Sequence, residues 1–163
     1  MRITVFCASS RKVANAYYTA TEQLARCLVA ADAEIVYGGG GAGLMGRLAD
    51  AVLERGGAIS GVMPMFMKEV EFHHQGVRRI TFVSDMRERK RLLLKDSDGV
   101  VALPGGCGTF EELLEALTLK RLGQYNKPVV IVNVNGFYDP LITMLERSIA
   151  EGFMDARHRE MWT

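Results

Sequence analysis

Short apolar runs alternate with longer segments of helical period along this chain. The apolar runs predict strands at residues 2–7, 34–37, 58–63, 79–83, 99–103 and 128–133. Between them, apolar residues recur every three or four positions, which predicts helices at residues 15–31, 44–54, 85–95, 109–122 and 139–152. Strands that alternate with helices are typical of a parallel sheet with helices on both faces. The sequence therefore predicts an α/β fold with a Rossmann-like, doubly wound parallel sheet.

Two segments do not fit this alternation. Residues 64–76 have no clean period and carry His73, His74 and several methionines, so we interpret them as a loop that could cover a ligand site. The last residues, 155–163, look like the beginning of a further element. The chain has no internal repeat and no low-complexity linker, and its length suits one core, so we expect a single domain over residues 1–163.

Charge and cysteine content narrow the class of function. The 20 Lys and Arg residues are balanced by 19 Asp and Glu residues, so the chain has no overall field that would attract a nucleic-acid polymer. Three cysteines, Cys7, Cys27 and Cys107, do not resemble a secreted disulfide framework. No apolar stretch approaches the length needed to span a bilayer. We therefore expect a cytoplasmic protein with neither a nucleic-acid polymer nor a membrane as its partner.

The most informative segment is PGGCGTFEE at residues 104–112, which follows a predicted strand and opens a predicted helix. Backbone amides around Gly105, Gly106 and Gly108 can surround an anion, and the positive end of the helix dipole adds to the attraction. The segment therefore predicts a phosphate site. Glu112 lies one helical turn further on, where it can act on the group attached to that phosphate. The alternative is a tight turn that binds nothing.

Glu112 itself has two interpretations. Thr109 and Glu112 fit a capping box, in which Glu112 would only satisfy the helix N-terminus. Helical spacing argues against that role, because it places Glu112 nearly opposite the apolar face of the helix. The apolar face consists of Phe110, Leu113, Leu114 and Leu117, and the opposite face carries Ala116 and Leu119 beside Glu112. Such an outward face predicts a cleft and a partner subunit together, so we expect a homodimer.

A second glycine-rich turn, GGGGAGLMG, occupies residues 38–46. It contains the dinucleotide pattern GxGxxG, but it follows the second predicted strand, and the strand at residues 58–63 ends without the acidic residue that would hold a ribose. It also differs from a P-loop, because Arg47 and Leu48 follow its last glycine. We interpret it as a phosphate or sugar contact, with a tight strand-to-helix turn as the alternative.

Five basic residues crowd the predicted helix at residues 85–95, and their usual meaning is a solvated surface. Arg89 differs from the others, because helical projection places it between Met86, Leu92 and Leu93 on the apolar stripe. An arginine on a stripe that faces the core needs an anion, either a carboxylate or a substrate phosphate. Arg89 is therefore a candidate functional residue.

Three motifs occur here in the order found in one family. PGGxGTxxE, GGGxxGLMG and M-x-x-R-K stand at residues 104–112, 38–46 and 86–90, and with them the chain resembles the Lonely Guy (LOG) family of phosphoribohydrolases along nearly its whole length. The resemblance implies cleavage of the N-glycosidic bond of a nucleoside 5′-monophosphate, which frees the base and ribose 5-phosphate.

The resemblance also implies roles for particular residues. It makes Arg89 and Glu112 the catalytic pair. It makes an adenosine 5′-monophosphate the expected substrate, with either adenine itself or a modified adenine such as a cytokinin as the base. Arg87 stands where relatives commonly carry histidine, so substrate preference could differ. The expected phosphate- and substrate-binding residues are Gly39, Gly40, Gly43, Met45, Gly46, Met86, Lys90, Pro104, Gly105, Gly106, Gly108, Thr109 and Glu115. Ser9, Ser10 and Asp85 are weaker candidates.

Other chemistries are less well supported by the sequence. Such proteins were often called lysine decarboxylases, but no lysine here has the context of a pyridoxal phosphate Schiff base, and no cofactor is expected. His73 and His74 lack a second ligand cluster, so no metal is expected. Cys107 has no histidine near it in sequence to activate it as a nucleophile. A protein that carries a nucleotide-like cofactor without cutting it is the main alternative function, and a nicotinamide-dependent oxidoreductase is the third.

Overall fold

The computed structural model describes residues 1–69 and 72–163. Within these residues, six strands form one sheet in which all neighbouring strands are parallel. The strands are β1 (Arg2–Phe6), β2 (Glu34–Tyr37), β3 (Ile59–Pro64), β4 (Arg79–Val83), β5 (Gly99–Ala102) and β6 (Val129–Ile131). Each lies where an apolar run predicted it, and the fold class is confirmed.

Five α-helices connect or follow the strands in the described residues. They are α1 (Asn15–Ala30), α2 (Gly43–Leu53), α3 (Met86–Leu94), α4 (Cys107–Arg121) and α5 (Asp139–Ala150). Short 3-10 helices occupy Met65–Glu69, Val134–Gly136 and Ala156–Met161. None of the described helices is long and apolar enough to cross a membrane.

The sheet order is β4-β3-β2-β1-β5-β6. The chain first moves outward from β1 to β4, then returns to the other side of β1 to form β5 and β6. The strand order therefore reverses between β1 and β5, and the connections that leave their carboxyl ends diverge. In open α/β sheets, this point is where a ligand crevice forms.

Two apolar clusters cover the two faces of the sheet. One joins α1 and α2 to side chains such as Val5, Ile35 and Tyr37. The other joins α3, α4 and α5 to side chains such as Phe6 and Val100 on the opposite face. Because both faces are buried, the strands are apolar almost throughout and show little alternation.

The last residues of the chain form a short 3-10 helix and pack onto the sheet. Met161 is buried, and the backbone of Thr163 bonds to β6 in both directions, with N–O distances of 3.0 Å to Val129 and 2.7 Å from Ile131. A capping box between Asp155 and His158 begins the 3-10 helix that brings them there.

Candidate functional site

A cavity of about 270 Å³ lies at the carboxyl ends of β1 and β5, where the strand order reverses. Three parts of the chain form most of its wall: the residues after β1, the N-terminal part of α4 with its N-cap, and one residue of α3. Its lining residues are Cys7, Ala8, Ser9, Ser10, Met45, Met67, Arg89, Gly106, Gly108, Thr109 and Glu112. The cavity thus brings together residues from five separate parts of the chain.

Arg89 and Glu112 meet at this cavity. Nη2 of Arg89 lies 3.5 Å from Oε1 of Glu112, and only about a tenth of each side chain is exposed. The two residues come from α3 and α4, which pack on the same face of the sheet. The expected convergence of this guanidinium and this carboxylate is therefore present.

Several groups hold Arg89 in place. Asp85 caps α3 by accepting hydrogen bonds from the backbone N–H groups of Arg87 and Glu88 at 2.8 and 2.9 Å. These bonds lower the pKa of Asp85, so its carboxylate stays ionised. Nε of Arg89 donates to the carbonyl oxygen of Val62 at 3.3 Å. The guanidinium is thus anchored to β3 and aimed at α4.

Burial changes the acidity of Glu112. Loss of solvent raises the pKa of Glu112 to about 7, even though the Arg89 guanidinium acts in the opposite direction. A carboxyl group with a pKa near neutrality can both accept and return a proton at physiological pH. The arrangement suits an acid–base or charge-stabilising role in the cavity.

The N-terminus of α4 borders the same cavity. Gly106 is the N-cap of this 15-residue helix and supplies no side-chain hydrogen bond, so the first N–H groups of the helix have no intrahelical acceptor. At Gly106 and Gly108, a β-carbon would meet no described atom within 4 Å, so absent side chains leave the backbone open to the cavity. This is a suitable position for an anion such as phosphate.

The capping-box interpretation of Thr109 and Glu112 is wrong. The helix begins at Cys107, two residues earlier than predicted, so Thr109 lies inside the first turn. Its side chain is buried and packs over Gly105, where any β-carbon would collide with it. Glu112 is therefore free of a capping role.

The predicted outward face of α4 is also partly wrong. Ala116 is fully buried, whereas Leu114, expected on the apolar face, is 38% exposed. The helix is covered over a wide arc because the sheet lies on one side and the C-terminal 3-10 helix packs on another. Ala116 consequently gives no support to the homodimer, which stays a prediction.

The glycine-rich turn at residues 38–46 contributes one of its predicted binding residues to this cavity. Of its predicted binding residues, only Met45 lines the cavity, while Gly39, Gly40, Gly43 and Gly46 lie outside the lining. Gly43 has a φ of +59°, and a β-carbon there would lie 2.6 Å from the carbonyl oxygen of Ser9. The turn therefore packs α2 closely against the segment after β1, and its role as a phosphate or sugar contact stays a prediction.

Other predicted binding residues also lie outside the cavity lining. Met86 places its sulfur 3.9 Å from Nη1 of Arg89, and Lys90 forms ion pairs with Glu111 and Glu115. Pro104 and Gly105 line an apolar cavity of about 230 Å³ on the other side of the glycine segment. None of these predicted binding residues lines the cavity that contains Arg89 and Glu112.

A larger cavity of about 1020 Å³ adjoins the first and shares Ser9 and Met67 with it. Part of its wall is the end of the predicted covering loop. This loop end pairs with the glycine-rich turn at residues 38–46 through a hydrogen bond of 2.9 Å from the Gly41 N–H to the Phe72 carbonyl. Residues 70 and 71 of that loop lie outside the described residues. His74 bonds to Asp50 at 2.9 Å, and among the described residues no cluster of three or more His, Cys, Asp or Glu could hold a metal ion.

The sequence did not single out Cys7, Ala8 and Met67 as lining residues, and it rated Ser9 and Ser10 as weak candidates. Met67 lies in the 3-10 helix that follows β3. Cys7, Ala8, Ser9 and Ser10 follow β1, and they reach the cavity because β1 lies beside β5. No motif marks them. The one available signal is that they follow the first strand of a doubly wound fold.

The chain resembles proteins of one family along almost its whole length. A family profile described as "Possible lysine decarboxylase" matches residues 45–163. A rice protein (Oryza sativa subsp. japonica) named "Probable cytokinin riboside 5'-monophosphate phosphoribohydrolase LOGL1" is 44% identical over 98% of this chain and 72% of its own length. Cytokinin riboside 5′-monophosphate phosphoribohydrolase LOG2 of Arabidopsis thaliana is 41% identical over 98% of this chain and 75% of its own length.

Solved structures with the same fold are more distant in sequence. The molybdenum cofactor carrier protein of Chlamydomonas reinhardtii superimposes with a TM-score of 0.71 at 22% identity, covering 90% of this chain and 84% of its own. The molybdenum cofactor binding protein of Rippkaea orientalis gives a TM-score of 0.68 at 20% identity, with coverages of 90% and 84%. These likenesses concern the fold alone.

The fold and the cavity define a Rossmann-like α/β protein with a ligand crevice at the β1–β5 switch point. The profile match and the relatives at 41–44% identity make the assignment specific. The chain belongs to the Lonely Guy (LOG) family.

Proposed function

We propose that this protein is a phosphoribohydrolase that releases the base from cytokinin riboside 5′-monophosphates and, more broadly, from nucleoside 5′-monophosphates. The observation that carries the proposal is the buried Arg89–Glu112 pair at 3.5 Å, which faces the same cavity as the N-terminus of α4. The names of the relatives at 41–44% identity support the substrate class.

The N-terminus of α4 is the proposed phosphate site. Its unpaired backbone N–H groups and the positive end of its dipole attract a dianion, and Gly106 and Gly108 allow the phosphate to approach. With the phosphate there, the ribose reaches Glu112 one to two turns along the same helix. The neighbouring larger cavity offers room for the base.

Hydrolysis then proceeds at the sugar carbon C1′. The bond from C1′ to the base nitrogen breaks, its electron pair stays with the base, and a water oxygen forms the new bond to C1′. The departing sugar carbon has oxocarbenium character, which the Glu112 carboxylate stabilises. Glu112 also takes a proton from the attacking water, and this proton ends on the departing base. Arg89 orients the sugar phosphate and keeps the buried carboxylate in position.

No lysine is among the residues that line the described cavity, so we do not propose the decarboxylase chemistry that the profile's description names. A carrier function shares the fold with the two cofactor-binding structures, but at 20–22% identity that likeness concerns architecture only. The Arg89–Glu112 pair at the cavity favours a catalytic function over a carrier function.

Glu112→Gln tests the proposal directly. This change keeps the shape of the side chain but removes the carboxylate, so the turnover of N6-isopentenyladenosine 5′-monophosphate should fall by roughly 10²- to 10⁴-fold. Nucleotide affinity, measured by calorimetry, should change little because the phosphate contacts remain. The measurement is chromatographic detection of free base. Exposed Glu146→Gln on α5 is the matched control and should retain wild-type turnover. Unchanged turnover by Glu112→Gln would rule out the catalytic role.

A further inference from the structure

Three glutamates of α4 lie within one helical turn, and Lys90 of α3 binds the two that do not enter the cavity. Nζ of Lys90 lies 2.6 Å from Oε2 of Glu115 and also contacts Oε1 of Glu111. Only 18% of the Lys90 side chain is exposed. Glu111 and Glu115 are four residues apart on one helix face, where like charges repel unless a cation lies between them.

This cluster of ion pairs lies beside the Arg89–Glu112 pair of the cavity. Arg89 and Lys90 are consecutive on α3, and Glu111 and Glu112 are consecutive on α4, so one pair lies inside the site and the other lies outside it. The two helices rest on different strands, α3 on β3 and β4, and α4 on β1 and β5. A direct link between the helices therefore controls how Arg89 and Glu112 face each other.

We propose that Lys90 is a positioning residue: by joining Glu111 to Glu115, it fixes the relative placement of α3 and α4 at which Arg89 meets Glu112, and it balances the two carboxylates beside the site. This inference rests on the proposed function and assigns Lys90 a role other than phosphate contact. Consistent with that assignment, Lys90 and Glu115 line a groove outside the catalytic cavity.

The charges around Glu112 give the proposal a distinctive signature. The charged groups that face Glu112 are Arg89 and Lys90 from α3 and Glu111 and Glu115 from α4, and the Cys7 thiol after β1 shares the cavity. Beyond the effect of burial, Arg89 and Lys90 lower the pKa of Glu112, whereas Glu111 and Glu115 raise it. Removing Lys90 alone should therefore raise the pKa of Glu112, and neutralising both outer glutamates should lower it.

The experiment compares Lys90→Gln, Lys90→Arg and the double variant Glu111→Gln/Glu115→Gln with the wild type. Rates of base release from N6-isopentenyladenosine 5′-monophosphate are measured across pH. Lys90→Gln should lower kcat by about tenfold or more with little change in KM, because the pair in the site is misplaced. The acid limb of kcat/KM should move to higher pH. Lys90→Arg should restore most of kcat, since the guanidinium can bridge two carboxylates.

The double glutamate variant separates positioning from phosphate contact. It should also lose kcat, and its acid limb should move to lower pH. If Lys90 instead binds the substrate phosphate, Lys90→Gln raises KM with kcat unchanged, and the double variant keeps kcat and affinity. Either result overturns the proposal. Exposed Lys95→Gln, at the C-terminal end of the same helix, removes the same charge and should stay within about twofold of the wild type.

A second readout does not depend on hydrolysis. The titration of Glu112 can be followed by carboxyl 13C NMR in each variant, after circular dichroism shows that the variant is folded. Opposite displacements of that titration in Lys90→Gln and in the double glutamate variant support the cluster, and no displacement refutes it. Absence of base release by the wild-type protein would instead refute the proposed function.

Discussion

At the scale of single residues, the absence of a side chain at Gly38 is as important to the site as the charged pair. A β-carbon at Gly38 would collide with Nη2 of Arg89 and would lie 2.9 Å from the sulfur of Met45. The guanidinium therefore occupies the space that a side chain would fill. The sequence placed Gly38 in a glycine-rich turn, but it gave no indication that the turn makes room for an arginine 51 positions later.

Gly38→Ala tests this close approach. The added methyl group should displace the guanidinium of Arg89, and the fold should lose little stability because the colliding atoms are the ends of two flexible side chains. Base release should fall by about tenfold or more, since a small displacement of a catalytic group has a large effect on rate. Urea denaturation and the rate assay measure the two effects.

Gly99→Ala is the matched control for that change. A β-carbon at Gly99 would lie 3.4 Å from Cδ1 of Ile3, which is ordinary van der Waals contact. Gly99→Ala should therefore retain activity. Equal loss of activity in both variants would show that any added methyl group in the sheet region disturbs the site, and would contradict the specific role of Gly38.

At the scale of elements, the end of β5 is held by a residue far along the chain. Tyr138, next to the start of α5, donates a hydrogen bond of 2.8 Å from Oη to the carbonyl oxygen of Leu103, immediately before the glycine segment. Tyr138 is fully buried, and burial raises the pKa of its hydroxyl, so the group remains a donor. This bond fixes the point from which the phosphate-binding segment departs.

Tyr138→Phe removes this bond while keeping the ring. The carbonyl of Leu103 then lies buried without its donor, so unfolding free energy should fall by about 1–2 kcal/mol in urea denaturation. Tyr18→Phe is the control, because its hydroxyl makes only an exposed bond of 3.4 Å to Arg11 and should change stability by less than about 0.5 kcal/mol. A Tyr138→Phe protein as stable as the control would contradict the assigned role.

The elements themselves were largely predictable from the sequence. Short apolar runs such as residues 34–37 and 99–103 are typical of strands that are buried on both faces of a parallel sheet. The errors concern α4. Gly106 and Gly108 lie on either side of its first residue, and the weak helix propensity of glycine hid the true start at Cys107. The burial of α4 on more than one side removed the simple apolar stripe that assigned Ala116 and Leu114.

At the scale of the whole molecule, the buried carboxyl group links stability to pH. Glu112 has a pKa of about 7 in the folded protein and 4.5 as its ordinary value, so the folded state binds more protons between these values. Its stabilising contribution is complete below pH 4.5 and is lost as pH rises through 7. Above pH 7, the burial of the ionised Glu112 carboxylate therefore lowers the stability of the folded protein.

Comparing Glu112→Gln with the wild type isolates this cost. The difference in unfolding free energy, variant minus wild type, should increase by roughly 3 kcal/mol from pH 4 to pH 8, because only the wild type must bury an ionising group. Urea denaturation at both pH values measures it. Exposed Glu146→Gln on α5 is the control variant in the same measurement. A flat difference for Glu112→Gln would show that Glu112 titrates normally.

The homodimer, the single-domain organisation and the cytoplasmic location stay predictions at this scale. The catalytic roles of Arg89 and Glu112 are likewise proposals, although the two side chains do meet. The sequence selected Arg89 because it lies on the apolar stripe of its helix, and Glu112 because it follows the glycine segment and points away from the apolar face of its helix. It also selected the glycine segment at residues 104–108, because backbone amides without side chains can surround an anion.

The sequence by itself determined the alternation of elements, the α/β class and the two charged residues of the site, since each depends on local periodicity or composition. Only the tertiary structure decided which residues of each glycine turn line the cavity, which residues after β1 complete its wall, and that Lys90 joins two glutamates of another helix. These features depend on the strand order β4-β3-β2-β1-β5-β6. That order follows from the packing of the whole chain, because contacts between distant segments leave no periodic trace in the residues that make them.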